Sequence, residues 1–179
     1  MAGCDITKGR CLSCKDAVGG LKAIYFVNHG DLGDITYGPD GETITSMGVT
    51  GTPTNAYKYE LHLGNDLTQN IMSSAENGTL FFEQLLNLTL KKLSAEDNAE
   101  IRLLAAGHPH VIVEDQMGNF MVVGTLNGAD VTGGTAVTGS AMGDLNGYTL
   151  TLTGNERALA NFYTGDLATE FAIVECTTP

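Results

Sequence analysis

Three cysteines near the N-terminus have the residue type and spacing of metal ligands. Cys11 and Cys14 form a C-x-x-C pair, and Cys4 could add a third thiolate. A structural zinc site usually takes four ligands, often in two pairs, and a second cysteine pair is missing because Cys176 stands alone. Reduced thiols beside a terminal segment are the interpretation that we favour.

Two histidines and a glycine-rich segment are the other places where chemistry could reside. His108 and His110 bracket a proline and could complete a metal site, but histidines where a helix ends more often cap the helix or face solvent. Residues 128–147 are rich in Gly, Thr and Ala, yet they lack the Gly-Lys-Ser/Thr of a P-loop. Glycine-rich turns between strands are the better interpretation. We therefore predict no catalytic residues, no metal, no cofactor and no enzymatic activity.

The net charge of −12 arises from nine Lys and Arg against twenty-one Asp and Glu. Tight binding of nucleic acid needs clustered cations, so this chain is expected to repel DNA rather than wrap it. The charge can also serve solubility alone. No run of about 18 apolar residues predicts a membrane span, and the first residues do not resemble a secretory signal. We expect neither membrane insertion nor secretion.

The elements that would position any site are mostly strands. Residues 1–20 are polar and predict an extended arm. β-branched and aromatic runs, and turn residues such as Pro39-Asp40-Gly41, predict the strands and hairpins that follow. They are a strand over 21–28, hairpins over 35–49 and 110–126, a strand over 148–153 and a last apolar run over 170–176.

The stretch 80–93, LFFEQLLNLTLKKL, fits either a helix or a strand by periodicity. The preceding Asn77-Gly78 favours a hairpin turn. Ser94, followed by acidic residues, is a good helix N-cap and places a helix over 94–106 instead. We therefore predict a strand over 79–93, paired with the alternating strand that begins at residue 57.

If Ser74 pairs with Thr79, residues 57–93 form one long hairpin with two different faces. Gln69 then lies opposite Gln84 within an otherwise apolar face. Long strands with open edges usually extend into an assembly. The apolar face, predicted to form core or a subunit interface, contains Leu63, Leu67, Ile71, Phe82, Leu86, Leu88 and Leu90, with Leu67 opposite Leu86, Ile71 opposite Phe82 and Leu63 opposite Leu90. The polar, acidic face contains Glu60, His62, Asp66, Thr68, Asn70, Glu83, Asn87, Thr89 and Lys91.

Several stretches of the chain resemble a family of tailed-bacteriophage structural proteins. The opening CDITKGRCLSCKDAVGGLKAIYFVN is similar to a family pattern in which a Cys-Asp-x-Thr arm leads to Cys-Lys/Arg-Asp, Val-Gly-Gly and a strand. SSAENGTLFFEQLLNLTLKKL, HPHVIVEDQMGNFMVVG and DVTGGTAVTGSAMGDLNGYTLTLTG are similar as well. The resemblance covers about residues 4–155, and Cys11 and the segment after about residue 156 depart from the pattern.

This resemblance implies a virion protein, and within virions it is most like a tail tube protein. That class has a β-sandwich or barrel with one α-helix, and a long β-hairpin that joins neighbours into hexameric rings. The expected organisation is an arm over 1–20, a tail-tube-like domain over 21–155 and a C-terminal extension over 156–179. Stacked rings would let DNA pass along a lumen lined by the polar hairpin face, without specific binding.

The resemblance also implies where the protein acts and with what. The expected partners are further copies of the chain and other phage tail proteins, with the arm and loop 50–56 bridging subunits or rings. The expected location is the virion tail, after assembly in the host cytoplasm. The alternative is a capsid decoration or auxiliary head protein, which would need no lumen-lining hairpin.

Overall fold

The computed structural model describes residues 6, 8–12, 14–48 and 53–176. Its twelve strands and two helices confirm the prediction of a mainly β fold. The prediction of one helix is incomplete, because the described chain also contains a four-residue helix, α2 (Leu167–Glu170), whose N-terminus is capped by Asp166. Of the predicted loop 50–56, residues 50–52 lie outside the described residues, as does Cys4.

The larger sheet has eight strands in the order β12-β4-β1-β7-β8-β11-β3-β2. Most neighbours are antiparallel, but β12 runs parallel to β4 and β11 runs parallel to β3. Its strands are β1 (Leu21–Val27), β2 (Thr36–Tyr37), β3 (Ile44–Ser46), β4 (Thr54–Glu60), β7 (His110–Asp115), β8 (Phe120–Val123), β11 (Asn161–Tyr163) and β12 (Phe171–Val174).

The smaller sheet has four strands in the order β5-β6-β10-β9, all antiparallel to their neighbours. It contains the long strand that the sequence predicts over 79–93 and the glycine-rich segment, part of which is a strand rather than a turn. Its strands are β5 (Asp66–Ser74), β6 (Thr79–Lys91), β9 (Asp130–Val137) and β10 (Gly147–Glu156).

An apolar core lies between the two sheets. Leu86 and Leu88 of β6 and Leu152 of β10 pack with Ile24 of β1 and Val113 of β7. A second cluster covers the opposite face of the larger sheet, where residues around α2 and the β3 turn pack. The larger sheet is therefore buried on both faces near its centre, whereas the smaller sheet is buried on one face only.

The predicted hairpin is confirmed in type and register over its outer part. Ser74 pairs with Thr79, and the same register continues through Gln69 opposite Gln84 to Asp66 opposite Asn87. The predicted start at residue 57 is wrong, because residues 54–60 form β4 in the larger sheet. The predicted pair Leu63–Leu90 is therefore absent as well.

Asn65 explains why the hairpin stops where it does. Gly64 has a φ of 99°, which turns the chain away from the sheet. The buried Asn65 side chain then accepts a hydrogen bond from the amide of Thr89 at 2.6 Å, and it donates to the carbonyl of His62. A side chain thus takes the place of a strand partner at this point.

Residues 156–179, predicted as a C-terminal extension, join the fold as far as they are described. Glu156 ends β10, β11 links β8 to β3, and β12 forms one edge of the larger sheet. Burial of Tyr163, Leu167 and Phe171 in the second apolar cluster holds this segment in place. The segment to residue 176 is therefore part of the sandwich.

The main helix, α1 (Ala95–Ala106), begins where the sequence predicts. The Ser94 hydroxyl accepts a hydrogen bond from the Asp97 amide at 3.0 Å, the expected N-cap geometry. None of its twelve residues is buried, and only Ile101 and Leu104 pack partly against the core. The helix is therefore an outer wall of the molecule rather than a core element.

Candidate functional site: a polar sheet face with two open edges

The outer face of the four-stranded sheet is an extended polar surface that the fold creates. Seven of the nine predicted lumen-facing residues share this face, because side chains alternate along paired strands. They are Asp66, Thr68 and Asn70 of β5 and Glu83, Asn87, Thr89 and Lys91 of β6. Glu60 and His62 do not belong to it, since Glu60 ends β4 and His62 lies in the following loop.

Threonines of β9 and β10 extend this face, and they were missed from the sequence. The YTLTLT alternation over 148–153 would have revealed them, because it places Thr149, Thr151 and Thr153 on one side of a strand. The register puts Thr149 opposite Thr89 and Thr151 opposite Asn87. The face is consequently four strands wide.

Hydrogen bonds between neighbouring strands connect most of these polar side chains. Each link spans two adjacent strands, so the face forms a largely pre-bonded network. The links are Asn70 to Glu83 at 3.0 Å, Asn87 to Asp66 at 3.2 Å, Thr151 to Asn87 at 3.2 Å, Thr149 with Thr135 at 2.6 Å and Thr153 with Thr132 at 2.9 Å.

This face is mainly neutral, which differs from the acidic face that the sequence suggests. Among the seven predicted residues, Asp66 and Glu83 are the acids and Lys91 is the cation. Three further acids, Glu96, Asp97 and Glu100, lie on α1, outside the sheet. Hydroxyl and amide groups, rather than carboxylates, therefore dominate the polar face.

Both edges of this sheet are open, since no other strand of the described chain pairs with β5 or β9 on its outer side. The Thr151 carbonyl accepts a hydrogen bond from the Thr132 hydroxyl of β9. Odd-numbered residues of β10 therefore direct their backbone amide and carbonyl groups towards β9. Thr135 lies opposite Thr149 and therefore bonds to β10. The amide of Ala136 consequently points to the open edge.

The predicted apolar residues divide into a buried and an exposed group. Leu86 and Leu88 are fully buried, and Leu67, Phe82 and Leu90 are partly buried. Ile71, beyond the end of the core, is 64% exposed, and Leu63 in the loop before β5 is 75% exposed. Ile71 in the outer half of the hairpin and Leu63 before its base therefore leave apolar surface that the described residues do not cover.

The polar pair Gln69 and Gln84 has a structural role within the apolar face. The Gln84 side chain is only 1% exposed. It accepts a hydrogen bond from the Gly124 amide at 2.9 Å and donates one to the Ala158 carbonyl at 3.2 Å. Gln69 accepts from the Ala160 amide at 2.6 Å. The two side chains thus tie the loops that join the sheets to the hairpin.

The candidate metal ligands that the structure describes do not come together. Cys11, Cys14 and Cys176 are exposed and unpaired with one another. Among the described residues, no group of three or more His, Cys, Asp or Glu side chains is placed to hold a metal ion. In the same part of the chain, no helix is long and apolar enough to cross a membrane.

His108 and His110 have separate structural roles. The His108 imidazole contacts the Asp130 carboxylate at the surface. The buried His110 ring donates from Nδ1 to the Gly124 carbonyl and accepts at Nε2 from the Gly30 amide at 3.4 Å, and it stacks on His29 with 5.0 Å between ring centres. His110 is therefore held in its neutral form. Burial, the largest cause, lowers the pKa of His110 below its usual value.

This histidine predicts a loss of stability in mild acid. Unfolded His110 takes up a proton near pH 6.5 and folded His110 only at lower pH, so the unfolded state binds more protons between the two values. We expect the free energy of unfolding to fall as pH drops below about 6.5, with this group contributing at most about 1.4 kcal/mol per pH unit. Urea unfolding at a series of pH values measures the slope.

The control for this prediction is His110→Asn. Its amide can still donate to Gly124 but cannot ionise, so the variant should lose stability less steeply with falling pH, although it is less stable at neutral pH. Equal slopes in the two proteins would assign the acid sensitivity to other groups.

Comparison with protein-family profiles, with curated proteins and with solved structures gives no match to this chain.

Proposed function

We propose that this chain is a virion structural protein, a tail tube subunit of a tailed bacteriophage. In this proposal its copies form stacked hexameric rings around a lumen through which DNA passes. The observation that carries the proposal is a four-stranded sheet with one buried apolar face, one exposed polar face and two open edges. Edge strands of this kind pair with other chains, and closing them into a barrel removes every open edge.

The dimensions of such a barrel support the proposal. Six copies would contribute about 24 strands, and a spacing of about 4.8 Å between strands gives a backbone circle at least roughly 37 Å across, the value for strands parallel to the axis, which strand tilt widens. Side chains that point inward would narrow the opening to the order of 25 Å. That width admits a DNA double helix. The buried face of each sheet would remain packed on its own sandwich, outside the lumen.

The chemistry of the polar face suits a conduit. Phosphate binding depends on clustered Lys and Arg, whereas Lys91 is the cation among the predicted lumen residues. The hydroxyl and amide groups already bond to one another, so few donors remain for DNA phosphates. The net charge of −12 adds general repulsion. DNA would slide past this surface without being held.

Electron microscopy of the purified chain over a range of concentrations tests this function. We expect long tubes with a central channel and regular cross-striations. Discrete monomers or closed trimers at every concentration would overturn the proposal in favour of a capsid decoration protein, which remains closed until it meets a capsid.

A further inference from the structure

A groove separates α1 from the edge of the larger sheet. Its volume is about 700 Å³, and Tyr57, Tyr59 and Ile101 supply much of its apolar lining. A second hollow of about 460 Å³ shares Tyr57, Tyr59 and Glu100 with it, so the two follow the same side of the helix.

The rim of this groove is acidic. It carries five carboxylates, and its two lysines are Lys58 and Lys91. Lys58 is already paired with Glu175 at 3.2 Å and with Glu60 at 3.6 Å. The carboxylates of Glu96 and Glu100 on α1 are exposed and form no ion pair among the described residues. The groove therefore favours an occupant that is both apolar and cationic.

The N-terminal arm, described at residues 6, 8–12 and 14–20, has this chemistry. Ile6 is 95% exposed and Leu12 is 102% exposed, so neither contacts an apolar partner in the described chain. Residues 1–20 contain the cations Lys8, Arg10 and Lys15 against the acids Asp5 and Asp16. The arm thus presents apolar and cationic side chains that do not pack against the described residues of its own subunit.

We propose that the groove between α1 and the β4–β12 edge binds the N-terminal arm of a second copy of this chain. Leu12 would lie on the tyrosines of the floor, and the arm's cations would face the carboxylates of α1. This proposal rests on the proposed tube function in one respect, because both require the chain to associate with further copies of itself. A partner copy is the occupant because every described arm residue is exposed rather than packed on its own subunit.

A charge-swap experiment tests this docking in the full chain. The double variant Lys8→Glu/Arg10→Glu should weaken self-association measured by sedimentation velocity, as should Glu96→Lys/Glu100→Lys. Mixing the two double variants should restore association, because each arm then meets a groove of opposite charge. The control Glu42→Lys changes the charge in the exposed loop between β2 and β3 and should behave as the parent chain. Failure of the mixture to regain association would overturn the proposal.

Native cysteines then identify which arm occupies the groove. Cys176 lies at the groove, and Cys11 and Cys14 flank Leu12 by one and two residues. In a Cys4→Ser/Cys14→Ser background, which keeps Cys11 as the single arm thiol, diamide removes two electrons and two protons from a close Cys11–Cys176 pair to form a disulfide. We expect disulfide-linked dimers and higher oligomers that disappear in Cys176→Ser. Monomers with an internal disulfide would overturn docking on a second copy.

The outcomes separate this inference from the tube function. Tubes that form without any charge-swap effect would contradict arm docking alone. Rescue and cross-linking in a protein that never forms tubes would support arm docking and contradict the tube.

Discussion

Leu86→Asp is expected to prevent folding, whereas Leu85→Asp, one residue earlier, is expected to leave the fold intact. Leu86 is fully buried between the sheets, and Leu85 lies on the outer face of the same strand. Removing a buried leucine side chain alone costs about 2–5 kcal/mol. A buried carboxyl group without a partner adds roughly 2–7 kcal/mol, which together approaches the whole stability of about 5–15 kcal/mol of a typical domain.

Circular dichroism and thermal unfolding of the two variants check this prediction. We expect Leu86→Asp to be insoluble or to lack a cooperative transition, and Leu85→Asp to unfold within a few degrees of the parent chain. The pair is closely matched, since the residue type, the strand and the new charge are the same. If Leu86→Asp instead unfolds cooperatively and Leu85→Asp fails to fold, the buried and exposed faces of β6 have been assigned the wrong way round.

Ala136→Pro is expected to abolish tubes while leaving the single chain folded. The amide of Ala136 points to the open edge of β9, so proline removes no hydrogen bond within the subunit. The same substitution deletes a donor that an incoming β5 from a neighbouring copy would need, and its ring obstructs pairing. The effect should therefore appear in assembly rather than in subunit stability.

Electron microscopy and thermal unfolding, performed on the same samples, separate these two effects. Ala136→Ser keeps the amide and should form tubes as the parent chain does. Normal tubes from Ala136→Pro would exclude pairing through this edge. If Ala136→Pro does not fold, the Ala136 amide has a hydrogen-bond partner within the chain. The same test can then be made at the opposite edge of the sheet with Ile71→Pro in β5.

The hairpin shows how far the sequence could predict this fold. Its register followed from a local signal, because the short turn around Asn77-Gly78 fixes which residues pair, and alternation then assigns Leu86 inward and Asn87 outward. Gly64 and Asn65 are residue types typical of a break in a strand, but the predicted hairpin ran through them. The sequence could not reveal that the strand before this break joins the other sheet, since that depends on pairing with β1, more than thirty residues away.

The candidate site shows the same division between local and distant information. The polar residues of β5 and β6 were predictable from alternation within one hairpin. The width of the polar face was not, because β10 joins β6 across more than fifty residues of intervening chain. The local sequence places Glu96, Asp97 and Glu100 on the predicted helix, but it could not show that Glu60 and His62 leave the polar face, because that depends on β4 joining the larger sheet.

The positions of β11 and β12 set the order in which a newly made chain can fold. The smaller sheet is complete once β10 has been synthesised, but the β2–β3 hairpin has no strand linking it to β8 until β11 follows. The pairing of β12 with β4 comes last of all and closes a loop of more than a hundred residues. Contacts this distant along the chain slow folding. A nascent subunit therefore exposes the unfinished edge of its larger sheet until β12 has been synthesised, and a product truncated before β12 would leave that edge uncovered.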